Sequence, residues 1–320
     1  MNEKEPKTLE EQLEILQSRG ICMDDPSEYD KAKDLLKRVG YYKLVNGYKK
    51  LFIDIPKDDK NGIEEQFKKG TSLSELYSVY YFDKELRELM LKYILPVEVH
   101  IKSLMSLVVS EKYGQDNYLR YQNFDTSRAN SNKQITKVIS DIYNQIAYRE
   151  SDPCINHYLT EYGFVPLWVL NNVLTFGTLS NLYRILKQSD RQAISRQFGI
   201  TDELLIGVLR YLTDIRNISA HGNRLYCMRT KKPLPNTPVH SNLGISLSSD
   251  EYEYGKRDLY AALIALKYLI SKNEFNKLID ELKIIVNELK NHLHTICIAD
   301  VLKEMGFPKG WKGIKRVKKC

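Results

Sequence analysis

Apolar residues recur along this chain at three- and four-residue spacing, and no stretch alternates apolar with polar residues for long. That periodicity predicts helices throughout and an all-α fold. The clearest helix is LLIGVLRYLTDIRNISAHGNRLY, from Leu204 to Tyr226, where Leu205, Val208, Leu209, Leu212 and Ile215 form one face. Thr201 and Asp202 are start signals for it and Gly222 a stop. Thr8 with Glu11, and Ser72 with Glu75, have capping-box spacing and open helices at Leu9 and Leu73. A second helix is expected from Ser27 to Val39. The Leu73 helix should run to Lys112, with a kink or interruption at Pro96. Further helices are expected at Ile135–Tyr148 and, dented at Phe176-Gly177, at Trp168–Gln188, then a hairpin of Leu259–Ser271 and Phe275–Leu293. Residues Ile55–Gly70, Tyr113–Lys133 and the stretch up to Val165 read as loops. So does Lys231–Gly255, which is long enough to be a flap or a disordered segment. The organisation expected is residues 1–70 as an N-terminal helical, tyrosine-rich segment, 71–294 as a helical core, and 295–320 as a closing motif with a basic tail.

Composition places limits on this picture. With 320 residues, 42% hydrophobic and 28% charged, the chain can bury a large core. No apolar run approaches a membrane span, and MNEKEPKTLEEQ lacks a signal-peptide core, so no membrane partner and a cytoplasmic location are expected. Five cysteines (22, 154, 227, 297 and 320) are scattered without a C-x-x-C pair, which argues against disulfides and a zinc site. No cofactor or metal is expected. The net charge is +7, and Lys309, Lys312, Lys315, Arg316, Lys318 and Lys319 carry six of it, leaving +1 for the rest. The tail therefore reads as a basic arm around Trp311, of the kind that contacts nucleic acid or is simply solvated.

The chemistry-bearing residues gather where the central helix ends. There Arg216 and Asn217 break the apolar pattern and His221 follows, as R-N-x-x-A-H. Arg216 falls near the middle of the apolar face, with His221 roughly 140° around the helix. A cation on a buried face needs a carboxylate. Glu98, the one acidic residue within the apolar pattern Val97, Ile101, Leu104, Val108, is either an exposed position or, as preferred, the expected partner, with Lys102 beside it. One reading makes Arg216 a buried ion pair and His221 a helix-end decoration; the other makes both catalytic. Asn217, four residues before His221, would orient the imidazole, bind a phosphate oxygen, or cap backbone. Asp83 and Arg87, four apart, would form a helix-face ion pair or act directly.

Arginine and histidine separated by four residues form the pattern of HEPN-type ribonucleases, and longer blocks agree. GYYKLVNGYKKLF (40–52), FKKGTSLSELYSVYYFDKELREL (67–89), PLWVLNNVLTFGTLSNLYRIL (166–186), LRYLTDIRNISAHGNRLY (209–226) and MGFPKGW (305–311) resemble bacterial abortive-infection proteins of the AbiD/AbiF type. The resemblance spans about nine-tenths of the chain. It departs where the family has W-x-x-x-E and this chain has Asn171-Asn172, and where Lys102 replaces an arginine, with His100 nearby.

The resemblance implies a HEPN-like helical bundle used in phage defence, with RNA as substrate and also as a possible bound regulator. It further implies a homodimer whose paired motifs share a cleft. The expected reaction is metal-independent cleavage leaving 2′,3′-cyclic phosphate and 5′-OH ends. His221 would be base or acid, since imidazole ordinarily titrates near neutrality, and Arg216 would face the phosphate. Lys43, Lys49, Lys50, Arg224, Lys312, Lys315 and Arg316 are the candidate RNA contacts. The rival reading is a non-catalytic RNA-binding or scaffold protein on the same fold. A DNA nuclease is disfavoured because no carboxylate cluster for a divalent metal is apparent.

Overall fold

The computed structural model describes residues 5–23, 25–58 and 61–319. Cys320 and the first four residues of the N-terminal segment lie outside them. The other four cysteines are free.

The described chain is all-α apart from two small ribbons. Helix α1 (Leu9–Ser18) opens on the expected box: Thr8 Oγ1 accepts from Glu11 N, and Glu11 reaches back to Thr8 N at 2.6 Å. Helix α2 (Pro26–Val39) starts on Asp25, and α3 (Tyr41–Tyr48) continues into a 3-10 turn at Lys49–Phe52. Strands β1 (Ile53–Ile55) and β2 (Gln66–Phe67) then pair antiparallel, with Ile53 opposite Phe67. Part of the loop expected at Ile55–Gly70 is therefore one arm of a ribbon. The segment is too short and too polar for alternation to have shown it.

Helix α4 (Leu73–Tyr113) is the spine of the molecule, 41 residues long and unbroken at Pro96. A proline in a helix forfeits a hydrogen bond and costs about 3 kcal/mol. Pro96 itself is exposed, while Tyr93, Ile94, Val97 and Ile101 on either side are buried. Burial of that face offsets the loss. By length and composition α4 alone, among the described residues, is apolar enough to cross a membrane, contrary to the expectation that no run comes close. Here it packs on helices of the core. Its N-cap differs from expectation too. Ser72 accepts from Glu75 N, but the Glu75 carboxylate turns to the far end of the chain, accepting from His294 N (2.8 Å), Thr295 N (2.9 Å) and Thr295 Oγ1 (2.8 Å).

Helix α5 (Ser131–Tyr148) is followed by α6 (Pro153–Tyr162), unexpected although its signals are plain. Asp152 caps it, Pro153 opens it, and Gly163 ends it at φ 74°. The helix expected over Trp168–Gln188 divides into α7 (Leu167–Leu170) and α8 (Phe176–Ile185), with Thr175 capping the second. Helix α9 (Gln188–Ser195) precedes α10 (Asp202–Ala220), the central helix, which Thr201 caps. It stops six residues short of Tyr226, because Gly222 takes a left-handed conformation (φ 67°) just after His221.

The long segment after it is ordered. Within it lie α11 (Pro238–Asn242) and a ribbon of β3 (Leu247–Ser248) with β4 (Glu251–Tyr252), and His240 is wholly buried. Helix α12 (Leu259–Leu269) is buried on every side, as a helix apolar all round should be. Helices α13 (Lys272–Asn291) and α14 (Ile298–Glu304) complete the set. Helix α10 packs against α4, α8, α9 and α12, so the core is built around it.

The C-terminal segment is not a free basic arm. Trp311 and Ile314 are buried, and Trp311 meets Phe307 edge-on at 5.1 Å. Lys315 pairs with Asp280 at 2.7 Å, and Lys267 donates to Ile314 O at 2.9 Å. The apolar side chains between the lysines anchor the segment, a periodicity that its charge obscures.

Candidate functional site

The last turn of α10 carries Arg216, Asn217 and His221, and the two flanks of the helix treat them differently. Towards α4, Arg216 is partly covered and its Nε lies 3.6 Å from Glu98 Oε2. The other Glu98 oxygen takes Lys102 Nζ at 2.9 Å. Glu98 is therefore a buried carboxylate between two cations, one from its own helix and one from α10. Asn171 touches the same turn of α4. Its Nδ2 donates to Lys102 O (2.7 Å) and Ser106 Oγ (2.5 Å), a pair of donations that a carboxylate cannot make.

On the opposite flank, Asn217 and His221 line an open groove of about 610 Å³ between α8, α10 and the segment after Asn223. Arg210 and Asp214 stand on the same face, so that positions 210, 214, 217 and 221 form one stripe. His221 is the C-cap, its N–H bonded to Asn217 O at 3.1 Å, and its imidazole is exposed. No hydrogen bond joins the Asn217 side chain to that imidazole, so within a single chain Asn217 does not orient it. Arg216 is not among the residues that line the groove.

The groove is strongly basic. Arg184, Arg210, Arg229, Lys231 and Lys232 face it, against the carboxylate of Asp214. Burial pushes Asp214 above the ordinary aspartate range, and nearby Arg210 only partly opposes this. Burial likewise pulls Arg210 and Arg184 below the usual arginine value. None of these residues was singled out in the sequence except those in the R-N-x-x-A-H motif. The four-three-four spacing from Arg210 to His221 was the available signal.

Asp83 and Arg87 form their expected pair at 2.7 Å, but buried in the interior. Asp83 also accepts from Tyr48 Oη (2.7 Å), Leu225 N (3.0 Å) and Tyr226 N (2.7 Å). Burial drives the Tyr48 phenol upward, so it remains a donor to that carboxylate. This node fastens the chain just beyond His221 to α3 and α4, and its depth keeps Asp83 from touching a substrate.

The other expected contacts lie elsewhere and are engaged. Lys49 pairs with Glu65 and Lys50 with Glu304, both at 2.7 Å. Arg224 donates to Gly47 O at 2.9 Å, and Lys43 lies over the Tyr80 ring. Lys312 covers Trp311, Lys315 holds Asp280, and Arg316 lines a separate hollow with Lys267 and Lys272. None of these lines the His221 groove. Among the described residues, no three of His, Cys, Asp and Glu gather as metal ligands.

Comparison with known proteins agrees with the blocks read from the sequence. Residues 34–227 match the family model described as Abi-like protein, a span that runs from α2 to just past the Asp83-held turn and includes Glu98, Arg216 and His221. No curated protein and no solved structure matches the chain. With well over half its length matched, this chain belongs to the Abi-like family of bacterial abortive-infection proteins.

Proposed function

We propose that the chain is a HEPN-type, metal-independent endoribonuclease acting in abortive-infection phage defence. The observation that carries this reading is the placement of His221, exposed on the wall of a basic groove at the end of the central helix. In the proposed reaction the ribose 2′-oxygen attacks phosphorus and the bond to the 5′-oxygen breaks. One histidine takes the 2′-OH proton and a second protonates the leaving oxygen, giving a 2′,3′-cyclic phosphate and a 5′-OH. In this reading Arg216, held towards α4 beside Glu98 and outside the groove of its own chain, opposes the charge of the phosphorane in the cleft that two copies share. One chain offers one such histidine, so the reading requires two copies with their α10 ends facing across a shared cleft.

The test is RNA cleavage in EDTA by wild type, His221→Ala and Arg216→Ala, with analysis of the product ends. Cyclic phosphate from wild type alone supports the assignment. General acid–base assistance is worth ~10²–10⁴-fold, so the His221→Ala loss should fall in that range or beyond. A second reading, a non-catalytic RNA-binding or scaffold protein, draws on one observation: Arg216 is held by Glu98 and stays out of the groove. Intact RNA in every reaction, with no toxicity specific to wild type in cells, would favour it.

A further inference from the structure

The groove beside His221 has a neighbour. A second hollow of about 330 Å³ lies beside it between α5 and α8, and Asn181 and Arg184 line both. Lys133 and Lys137 of α5 continue the basic wall, with Asp141 opposing them. Among the described residues, Lys133, Lys137, Arg184, Arg210, Lys231 and Lys232 form no ion pair. Elsewhere the chain pairs its buried arginines thoroughly: Arg191 meets both Asp125 and Asp202, and Arg87 meets Asp83. Arg184 is different. Its side chain lines both hollows, and its Nε is buried with no hydrogen-bond partner.

A guanidinium taken partly out of water without a carboxylate is a standing cost that a bound anion removes. The row of unpaired cations asks for a repeating anion. Asp214 and Asp141, set apart along the row, disfavour a compact polyanion. A duplex presents its phosphates on a broad convex surface and does not enter two narrow hollows set between helices, whereas a flexible single strand can.

We propose that these two hollows form a phosphodiester track for single-stranded RNA, with Arg184 as the phosphate seat between them. The bound strand then runs from His221 towards α5. The inference rests on reading the His221 groove as an RNA site, and it places the contacts on residues other than the Tyr41–Lys50 segment and the tail.

The test is fluorescence anisotropy of a labelled single-stranded oligouridylate with the full chain, every variant carrying His221→Ala so that cleavage cannot consume the probe. Arg184→Gln should weaken binding roughly tenfold, the worth of one charge-assisted contact. It should also lower the slope of log Kd against log salt by about 0.7, the share of one single-strand phosphate. Lys137→Gln, exposed on α5 and harmless to packing, should weaken binding several-fold, and Lys31→Gln on α2 should not. Unchanged affinity and slope in both Arg184→Gln and Lys137→Gln would overturn the track, as would equal, Arg184-dependent binding of a duplex. The two readings fail separately. Arg184-dependent binding by a chain with His221 intact that never cuts RNA would sink the nuclease and keep the track. Cleavage by Arg184→Gln at wild-type kcat/KM would do the reverse.

Discussion

Glu98 Oε2 and Arg216 Nε face one another at 3.6 Å, both buried and neither hydrogen-bonded. The contact is one of charge, and Lys102 forms a second ion pair with the other oxygen at 2.9 Å. Glu98→Gln leaves two neighbouring cations without a counter-charge and should lower stability by roughly 1–3 kcal/mol, while Arg216→Ala should cost less because Lys102 still satisfies Glu98. A double-mutant cycle by urea denaturation should return a coupling energy of at least about 0.5 kcal/mol. A coupling of zero would mean that the two charges merely lie close.

The Asp83 node should be far more sensitive. Its carboxylate satisfies four donors from three parts of the chain, so Asp83→Ala strands a buried guanidinium, a phenol and two backbone N–H groups. A loss of ~3–5 kcal/mol is expected, against ~1.5–3 kcal/mol for Tyr48→Phe, which removes one hydrogen bond to a charge. If Asp83→Ala unfolded at the same denaturant concentration as wild type, the node would not hold the turn after α10.

Gly207 lies inside α10, where alanine ordinarily gains about 1 kcal/mol. Here a Cβ would sit 2.3 Å from Pro235 Cγ and 2.6 Å from its Cδ. Gly207→Ala should therefore destabilise, by ~1–3 kcal/mol, and pry the 231–255 segment from the helix. Limited proteolysis should show faster cutting within that segment. A stabilised, equally resistant variant would contradict the packing described.

His240 gives the same segment a pH dependence. Its Nδ1 accepts from Thr237 N (3.2 Å), its Nε2 faces Gly255 O (2.8 Å), and its ring stacks on Tyr252. Burial, aided by Lys256, holds it below the ordinary histidine value of 6.5. Below that pH the unfolded chain takes up a proton that the folded chain refuses, so stability falls as pH drops. Asp258 acts oppositely. Burial pushes it up to about 6, so the folded chain keeps a proton that the unfolded chain releases down to about 3.8, and stability is recovered as pH falls through that interval. Wild type should lose Tm from about pH 6.5 downward more steeply than His240→Gln, whose remaining slope reports Asp258 and other groups. Parallel curves for the two proteins would remove His240 as the source.

Much of this architecture was legible because burial writes itself into periodicity. The central helix, the long Leu73 helix and the C-terminal hairpin all followed from apolar spacing. What escaped was decided by single groups meeting at a distance. Glu75 has capping-box spacing yet bonds to Thr295, and Pro96 reads as a break yet sits on a solvent face. Helix α6 was missed because its apolar face is short, although Asp152, Pro153 and Gly163 marked both ends. At the candidate site, spacing found Arg216 and His221 on α10, and Glu98 on α4 as the partner of Arg216. It could not find Arg184 or Lys231, since a groove wall assembled from separate elements has no period.

Glu75 carries a consequence for how the molecule is made. Its carboxylate leaves the ribosome early, but the donors that satisfy it belong to residues 219 and 220 positions further on. Until those residues emerge, the first turn of the spine holds an acid with no partner for burial. The spine's N-terminal turn can take its final place only near the end of synthesis, so a nascent chain remains unfinished where its spine meets the turn between α13 and α14.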